Sequence, residues 1–218
     1  DPLTNEPDVT VEMIHAGTAL PGDADLVLIP GSKSTIADLT YFRAQGWDID
    51  LRAHHHRGGR ILGLCGGYQM LGQDIRDPDG IESRQRSVEG LGLLDISTEM
   101  RPEKTLALTR ATYLASGDQV MGYEIHIGQT QGPDCERAWL DIDGRPEGAA
   151  SIDGRIRGCY LHGLFAADAF RAAFLKDFGA ASTTHYHQGV EDALDALAQQ
   201  LEQQLDLDQI LSLAREVA

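Results

Sequence analysis

The segment "ILGLCGGYQMLG", Ile61–Gly72, decides the fold. Its first four residues form a short apolar run of the kind that fills a strand covered on both faces. The run stops at Cys65, with Gly63 two residues before it and Gly66 and Gly67 directly after. Tyr68, Met70 and Leu71 then predict the start of an amphipathic helix. G-x-C-x-G has the form of a nucleophile elbow, a sharp strand-to-helix turn whose glycines make room for a strained backbone. A thiol at the positive end of a helix is expected to have a lowered pKa and a larger thiolate fraction. The N–H of Gly66 would point where an oxyanion forms. The plainer alternative for Cys65 is a small buried residue closing a core strand.

Working outward, "ADLVLIPG" (Ala24–Gly31) is a second continuous apolar run. Between the two runs, from Ser34 to about Arg57, Ile36, Leu39 and Phe42 and then Trp47, Ile49 and Leu51 recur at helical spacing. Strand, helix, strand is a right-handed crossover unit, which makes the fold α/β. "VTVEMIHAG" (Val9–Gly17) alternates apolar and polar residues and reads as a further strand. From Leu91 to Tyr160, short β-like pieces separated by Gly, Pro and Asp predict more strands, some antiparallel. Ala166–Phe178 reads as a helix with Phe170, Phe174 and Phe178 on one face, and Leu194, Leu197, Leu201 and Leu205 form another stripe. "DLDQILSLAREV" predicts a last short helix capped by Asp206 or Asp208. This tail reads as a packed helical hairpin or as a partner-binding helix.

The expected architecture is three-layered, a mostly parallel central sheet flanked by helices, with antiparallel strands in the second half and a helical tail. It is one domain, with residues 1–186 as the core and residues 187–218 as the tail. "DPLTNEPD" at the start is turn chemistry where such a fold usually opens with a strand, so a strand or a whole domain is expected upstream of Asp1.

Composition narrows the function. Hydrophobic residues are 42% and charged residues 24%, as in ordinary globular domains. Eighteen Lys and Arg against 34 Asp and Glu leave a formal charge of −16, which repels nucleic acid and anionic membranes. No apolar run approaches the ~18 residues of a membrane span. Cys65, Cys135 and Cys159 are sparse and odd in number, which fits reduced thiols in the cytoplasm.

"PGSKST" (Pro30–Thr35) has the look of a phosphate loop, but a Walker A loop needs a glycine directly before the lysine and another five residues before that glycine. Ser32 and Val27 stand where those glycines belong, so nucleotide binding is not expected here. The plain reading is a strand-to-helix turn capped by Ser32 or Ser34.

A cysteine nucleophile needs a base. His54, His55 and His56 lie in adjacent helical positions that point in different directions, which favours a solvated face over a metal site. His126 in "GYEIHIG" and His162 in "GCYLHGLF" each end a strand-like piece before a glycine. His162 is better placed, because a late core strand would end at the same sheet edge as Cys65.

"GLCGGYQMLG", "PGSKST", "GYEIHIGQT" and "GCYLHGLF", in this order and spacing, resemble the class I (triad) glutamine amidotransferase domains, in the subgroup of the cobyric acid and cobyrinic acid diamide synthases. The resemblance covers most of the chain. It implies that Cys65 attacks the amide carbon of glutamine and releases ammonia, with His162 as the acid–base. It also implies an oxyanion hole from the N–H of Gly31 or Ser32 together with that of Gly66. Gln69 resembles a position that helps hold the substrate glutamine, and reads equally as an ordinary first-turn residue.

Two features depart from the wider class. Gly163 and Leu164 follow His162 where most triads place His-x-Glu, as in the subgroup itself, which leaves Glu124, a backbone carbonyl or nothing as orienter. A dyad without one would be a slow glutaminase alone. The resemblance also implies an N-terminal synthetase domain that uses ATP and Mg and receives the ammonia; nothing in these residues could do that work. The expected chain is therefore a C-terminal portion without metal or cofactor of its own. The alternatives are the glutaminase partner of a lipid II isoglutaminyl synthase, a cysteine amidohydrolase of the same fold, and a non-catalytic binding module.

Overall fold

Two neighbouring parallel strands carry the two loops of interest. In the computed structural model, which describes residues 2–213 apart from the side chain of Lys104, β1 (Leu26–Ile29) pairs with β2 (Arg60–Leu64) in parallel register. The crossover between them is α1 (Thr35–Ala44) and α2 (Trp47–His56), separated by Gly46 at φ 77°. Leu39 and Leu51, both at helical spacing in the sequence, are fully buried. β2 ends at Cys65 and α3 (Gly66–Met70) follows directly.

The chain then runs through β3 (Asp74–Arg76), β4 (Ser87–Glu89), β5 (Ser97–Tyr113), β6 (Gln119–Gln131), β7 (Leu140–Ile142), β8 (Arg145–Glu147) and β9 (Ala149–Ala150). β10 (Ile156–Cys159) and β11 (Leu161–His162) follow, then α4 (Asp168–Lys176), α5 (Tyr186–Gln204) and α6 (Leu207–Leu213). One sheet has the order β1-β2-β10-β9, with β1, β2 and β10 parallel. The other has the order β11-β6-β5-β3-β4, with β7 on β5 and β8 on β7, and is largely antiparallel. The antiparallel strands expected in the second half thus form the larger sheet. β10 sits in the first sheet and β11 in the second, so the short step from Cys159 to Leu161 joins the two.

Three expectations need correction. Val9–Gly17 alternates as a strand should but pairs with nothing among the described residues, and Val11 and Met13 are exposed. Alternation permits a strand but does not make one, and the segment stays unpaired although β1 is an edge strand. The N-terminal segment is anchored instead by Glu6, whose carboxylate accepts from the fully buried Arg171 (2.5 Å), Ser182 (2.6 Å), Thr184 (2.5 Å) and the Thr183 N–H (3.0 Å). Burial alone would raise the Glu6 pKa, but these bonds outweigh it and lower it to about 2. The pair therefore stabilises the fold above the ordinary carboxylate range, and that contribution is lost as pH falls toward 2.

The tail is the second correction. Neither α5 nor α6 buries a single residue, so no helical hairpin is packed on the core. Leu194, Leu197, Leu201 and Leu205 do form a stripe, but it faces outward. Asp206 caps α6 by accepting from the Gln209 N–H (3.0 Å), and the part of the expected last helix beyond Leu213 lies outside the described residues. Third, His54 is buried rather than solvated, with Nε2 hydrogen-bonded to the Arg60 carbonyl at 2.9 Å.

Candidate active site

Cys65 is one of two non-glycine residues with positive φ among the described residues, at φ 51° and ψ −109°. Such a conformation costs energy and persists only where its surroundings enforce it. Here the enforcement is visible. The Cys65 N–H donates to the Cys159 carbonyl (2.9 Å), and the Gly67 N–H donates to the Pro30 carbonyl (3.1 Å). The glycines are needed for close approach. A Cβ on Gly63 would lie 2.7 Å from the Gly67 carbonyl oxygen, one on Gly66 would lie 2.8 Å from Ser32 N, and one on Gly67 would overlap the Ile29 carbonyl. The elbow therefore presses on the 30–32 turn, which brings Gly31, Ser32 and Gly66 together beside Cys65. Within that turn the Ser32 hydroxyl accepts from the Ser34 N–H (2.9 Å) and donates to Asp38, but neither serine side chain caps α1; Glu82 does, accepting from the Ile36 N–H (3.0 Å).

His162 reaches the same place from β11, and Gly31 is the hinge point between the two side chains. A Cβ at Gly31 would stand 3.5 Å from Cys65 Cβ and 3.1 Å from His162 Cε1. β11 pairs with β6 so that His162 lies opposite Tyr123, and the two rings stack at 4.9 Å with only 5° between planes. His162 Nε2 is buried without a hydrogen-bond partner. The Cys65 thiol donates instead to the Ile125 carbonyl of β6 (3.4 Å).

The electrostatics correct one expectation. Burial pushes the Cys65 thiol above its ordinary pKa; the Gly66 N–H acts the other way, and Glu82 adds to the rise. The helix that was to stabilise a thiolate is α3, only five residues long, and its field is small. Burial also lowers the His162 pKa. Burial thus favours the uncharged form of each group, a thiol at Cys65 and a neutral imidazole at His162.

His126 is in a different environment. It stacks on Tyr160 (3.7 Å, 16°), and its Nδ1 is hydrogen-bonded to the Gly128 carbonyl (3.2 Å). It lines a cavity of about 340 Å³ with Glu124, Arg145, Glu147, Tyr160 and Cys135, on the face of β6 opposite Tyr123. Glu124 belongs to this face too: both its oxygens accept from Arg145 (2.9 Å each). Its carboxylate is spent there and does not orient His162. Tyr123 is the side chain against the imidazole; it lies within the "GYEIHIGQT" stretch, but the sequence assigned it no role.

Gln69 is buried beneath the elbow. Its side chain accepts from Thr35 (3.2 Å) and donates to the Ile127 carbonyl (3.0 Å) and the Tyr160 hydroxyl (3.1 Å). No group of three or more His, Cys, Asp or Glu among the described residues could hold a metal ion. No helix among them is long and apolar enough to cross a membrane.

The model of the CobB/CobQ-like glutamine amidotransferase domain matches residues 1–170. The chain belongs to that family. It is a glutamine amidotransferase domain, and its elbow and His162 lie within the matched span. The chain is 60% identical over 217 residues to the cobyric acid synthase of Ruegeria sp. (strain TM1040), covering 100% of this chain and 45% of that protein. It is 57% identical over 215 residues to the cobyric acid synthase of Paracoccus denitrificans (strain Pd 1222), covering 99% of this chain and 44% of that one. The amidotransferase domain thus spans less than half the length of the curated relatives it matches. Among solved structures, a crystal structure of a glutamine amidotransferase shares the fold at TM-score 0.50 and 18% identity, covering 72% of this chain and 80% of that chain. The PurLQS structure from Thermotoga maritima does so at TM-score 0.50 and 17% identity, covering 68% and 73%.

Proposed function

We propose that this amidotransferase domain is the ammonia-supplying part of a cobyric acid synthase, with Cys65 and His162 as its catalytic pair. Its product would be used in ATP-dependent amidation of corrinoid carboxylates in cobalamin biosynthesis. The observation that carries the reading is the convergence of Cys65, on its strained elbow, and His162 on the two sides of Gly31. The similarity to cobyric acid synthases over the whole chain supplies the acceptor.

In this reading glutamine enters with its side-chain amide against Cys65. His162 takes the thiol proton as sulfur attacks the amide carbon, and the same proton goes to the departing ammonia. Water then attacks the thioester, giving glutamate and restoring the thiol. The tetrahedral oxyanion of each step is held by the N–H of Gly66 and that of Ser32 or Gly31; losing one such donor typically costs about 10²–10³ in rate. Gln69 acts from below, bracing the substrate pocket through Tyr160 and Thr35. In this reading ATP and Mg belong to a synthetase domain elsewhere in the polypeptide, for which the length of the Ruegeria relative beyond the 45% matched by this chain leaves room. The reaction is placed in the cytoplasm, where free thiols persist.

The test is Cys65→Ser in a full-length protein carrying this domain. Amidation with glutamine is expected to vanish while amidation with added ammonium salt survives. Loss of both, in a folded protein, would contradict the division of labour.

A further inference from the structure

The outer face of the β5–β6 hairpin is apolar and open to water. Leu106 is 71% exposed, Leu108 89%, Met121 58% and Tyr123 42%. They share one face because Leu106 lies opposite Ile125, Leu108 opposite Tyr123 and Arg110 opposite Met121, and alternate residues of a strand point the same way. Outward positions from Leu106 to Thr112 and from Gln119 to Ile125 carry one charge, Arg110, in a chain of net charge −16. Four large apolar side chains set together on an otherwise acidic molecule mark an interaction site. This face is also continuous with the catalytic pair. Tyr123 stacks on His162, and the carbonyl of Ile125 accepts from the Cys65 thiol.

We propose that this face is the docking surface for the ammonia-consuming domain of the same polypeptide. The proposal rests on the function proposed above and names the partner's seat. The Ruegeria relative has 55% of its length outside the region this chain matches, since the match covers 45% of it, so a large body is available as occupant. A tethered domain meets the face at high effective concentration, so a modest patch suffices. A domain seated there would cover the Tyr123–His162 edge, next to the point where ammonia is released. The matching surface is apolar with an acidic group opposite Arg110. Because β6 contacts both Cys65 and His162, seating the partner bears directly on the dyad.

The experiment compares hydrogen exchange of this 218-residue chain with that of a full-length protein, and adds Leu108→Glu, with Met121→Glu as a second variant. Both side chains are exposed, so folding should survive. The expected result is protection of residues 105–125 only in the full-length protein, removed by either variant. With it, glutamine-dependent amidation should fall more than about tenfold while ammonia-dependent amidation is unchanged, as for loss of a central apolar contact. Equal exchange in both proteins would overturn the proposal. So would protection already present in the 218-residue chain, whether from its own helices or from a second copy, the latter shown by a dimer that Leu108→Glu dissociates. Exchange does not depend on catalysis. A failure of the glutaminase reading appears separately, as Cys65 that no glutamine analogue labels in either protein.

Discussion

Strand β6 carries a histidine–tyrosine stack on each of its faces, and the two differ in what their imidazoles are bonded to. On one face Tyr123 lies against His162 at 4.9 Å; on the other Tyr160 lies against His126 at 3.7 Å. His126 has its Nδ1 satisfied by a carbonyl and sits among Glu124, Arg145 and Glu147. His162 has a buried Nε2 with no partner, beside the strained cysteine. Buried polar atoms are nearly always paired, and the unpaired Nε2 of His162 is an exception that a catalytic role would explain. A histidine that is both buried and satisfied is part of the packing.

The comparison breaks most sharply by removing each imidazole in turn. His162→Asn is expected to lower the glutaminase kcat by about 10²–10⁴, the usual worth of a positioned acid–base. His126→Asn is expected to leave kcat within about tenfold but to lower stability by about 1–3 kcal/mol, through a lost buried hydrogen bond and ring contact. Steady-state ammonia release and thermal melts of both variants decide the matter.

A smaller effect tests what orients His162. If Glu124 did so, Glu124→Gln would cost on the order of 10⁴ in kcat, as loss of a triad acid does. With its carboxylate tied to Arg145, the expected loss is below about tenfold, and a loss near 10⁴ would restore the acid. Tyr123→Ala should act through pH. Burial holds the His162 pKa below its ordinary 6.5, so the base is neutral at pH 7 and the acid limb of kcat/KM lies below 6.5. Exposing the ring should move that limb upward, toward 6.5, while leaving the alkaline side in place. A purely structural tyrosine would lower the rate without moving the limb.

The sequence made the two halves of the site legible to different degrees. Gly63, Gly66 and Gly67 around Cys65 announced the elbow, because close approach of backbones leaves a local signature at fixed spacing. His162 was preferred over His126 by sheet-edge reasoning and by the family resemblance; the core strand does end beside Cys65, at Cys159, but His162 lies beyond it, in β11 of the other sheet. The stack of Tyr123 on His162 was not legible. It depends on the register of β11 against β6, a pairing of residues 39 positions apart that no local pattern encodes. The thiol's raised pKa was missed for a related reason, since burial is a property of the assembled core and the helix behind the elbow is short. The leucine stripe of α5 was read correctly as amphipathic, but periodicity does not say what covers a face, and among the described residues nothing does.

The most direct test of the central claim is intact mass after exposure to diazo-oxo-norleucine, with and without excess glutamine, on the wild type and on Cys65→Ser. The account predicts one adduct, absent from Cys65→Ser and suppressed by glutamine. An adduct that persists in Cys65→Ser, or a Cys65 adduct that glutamine does not suppress, would contradict it.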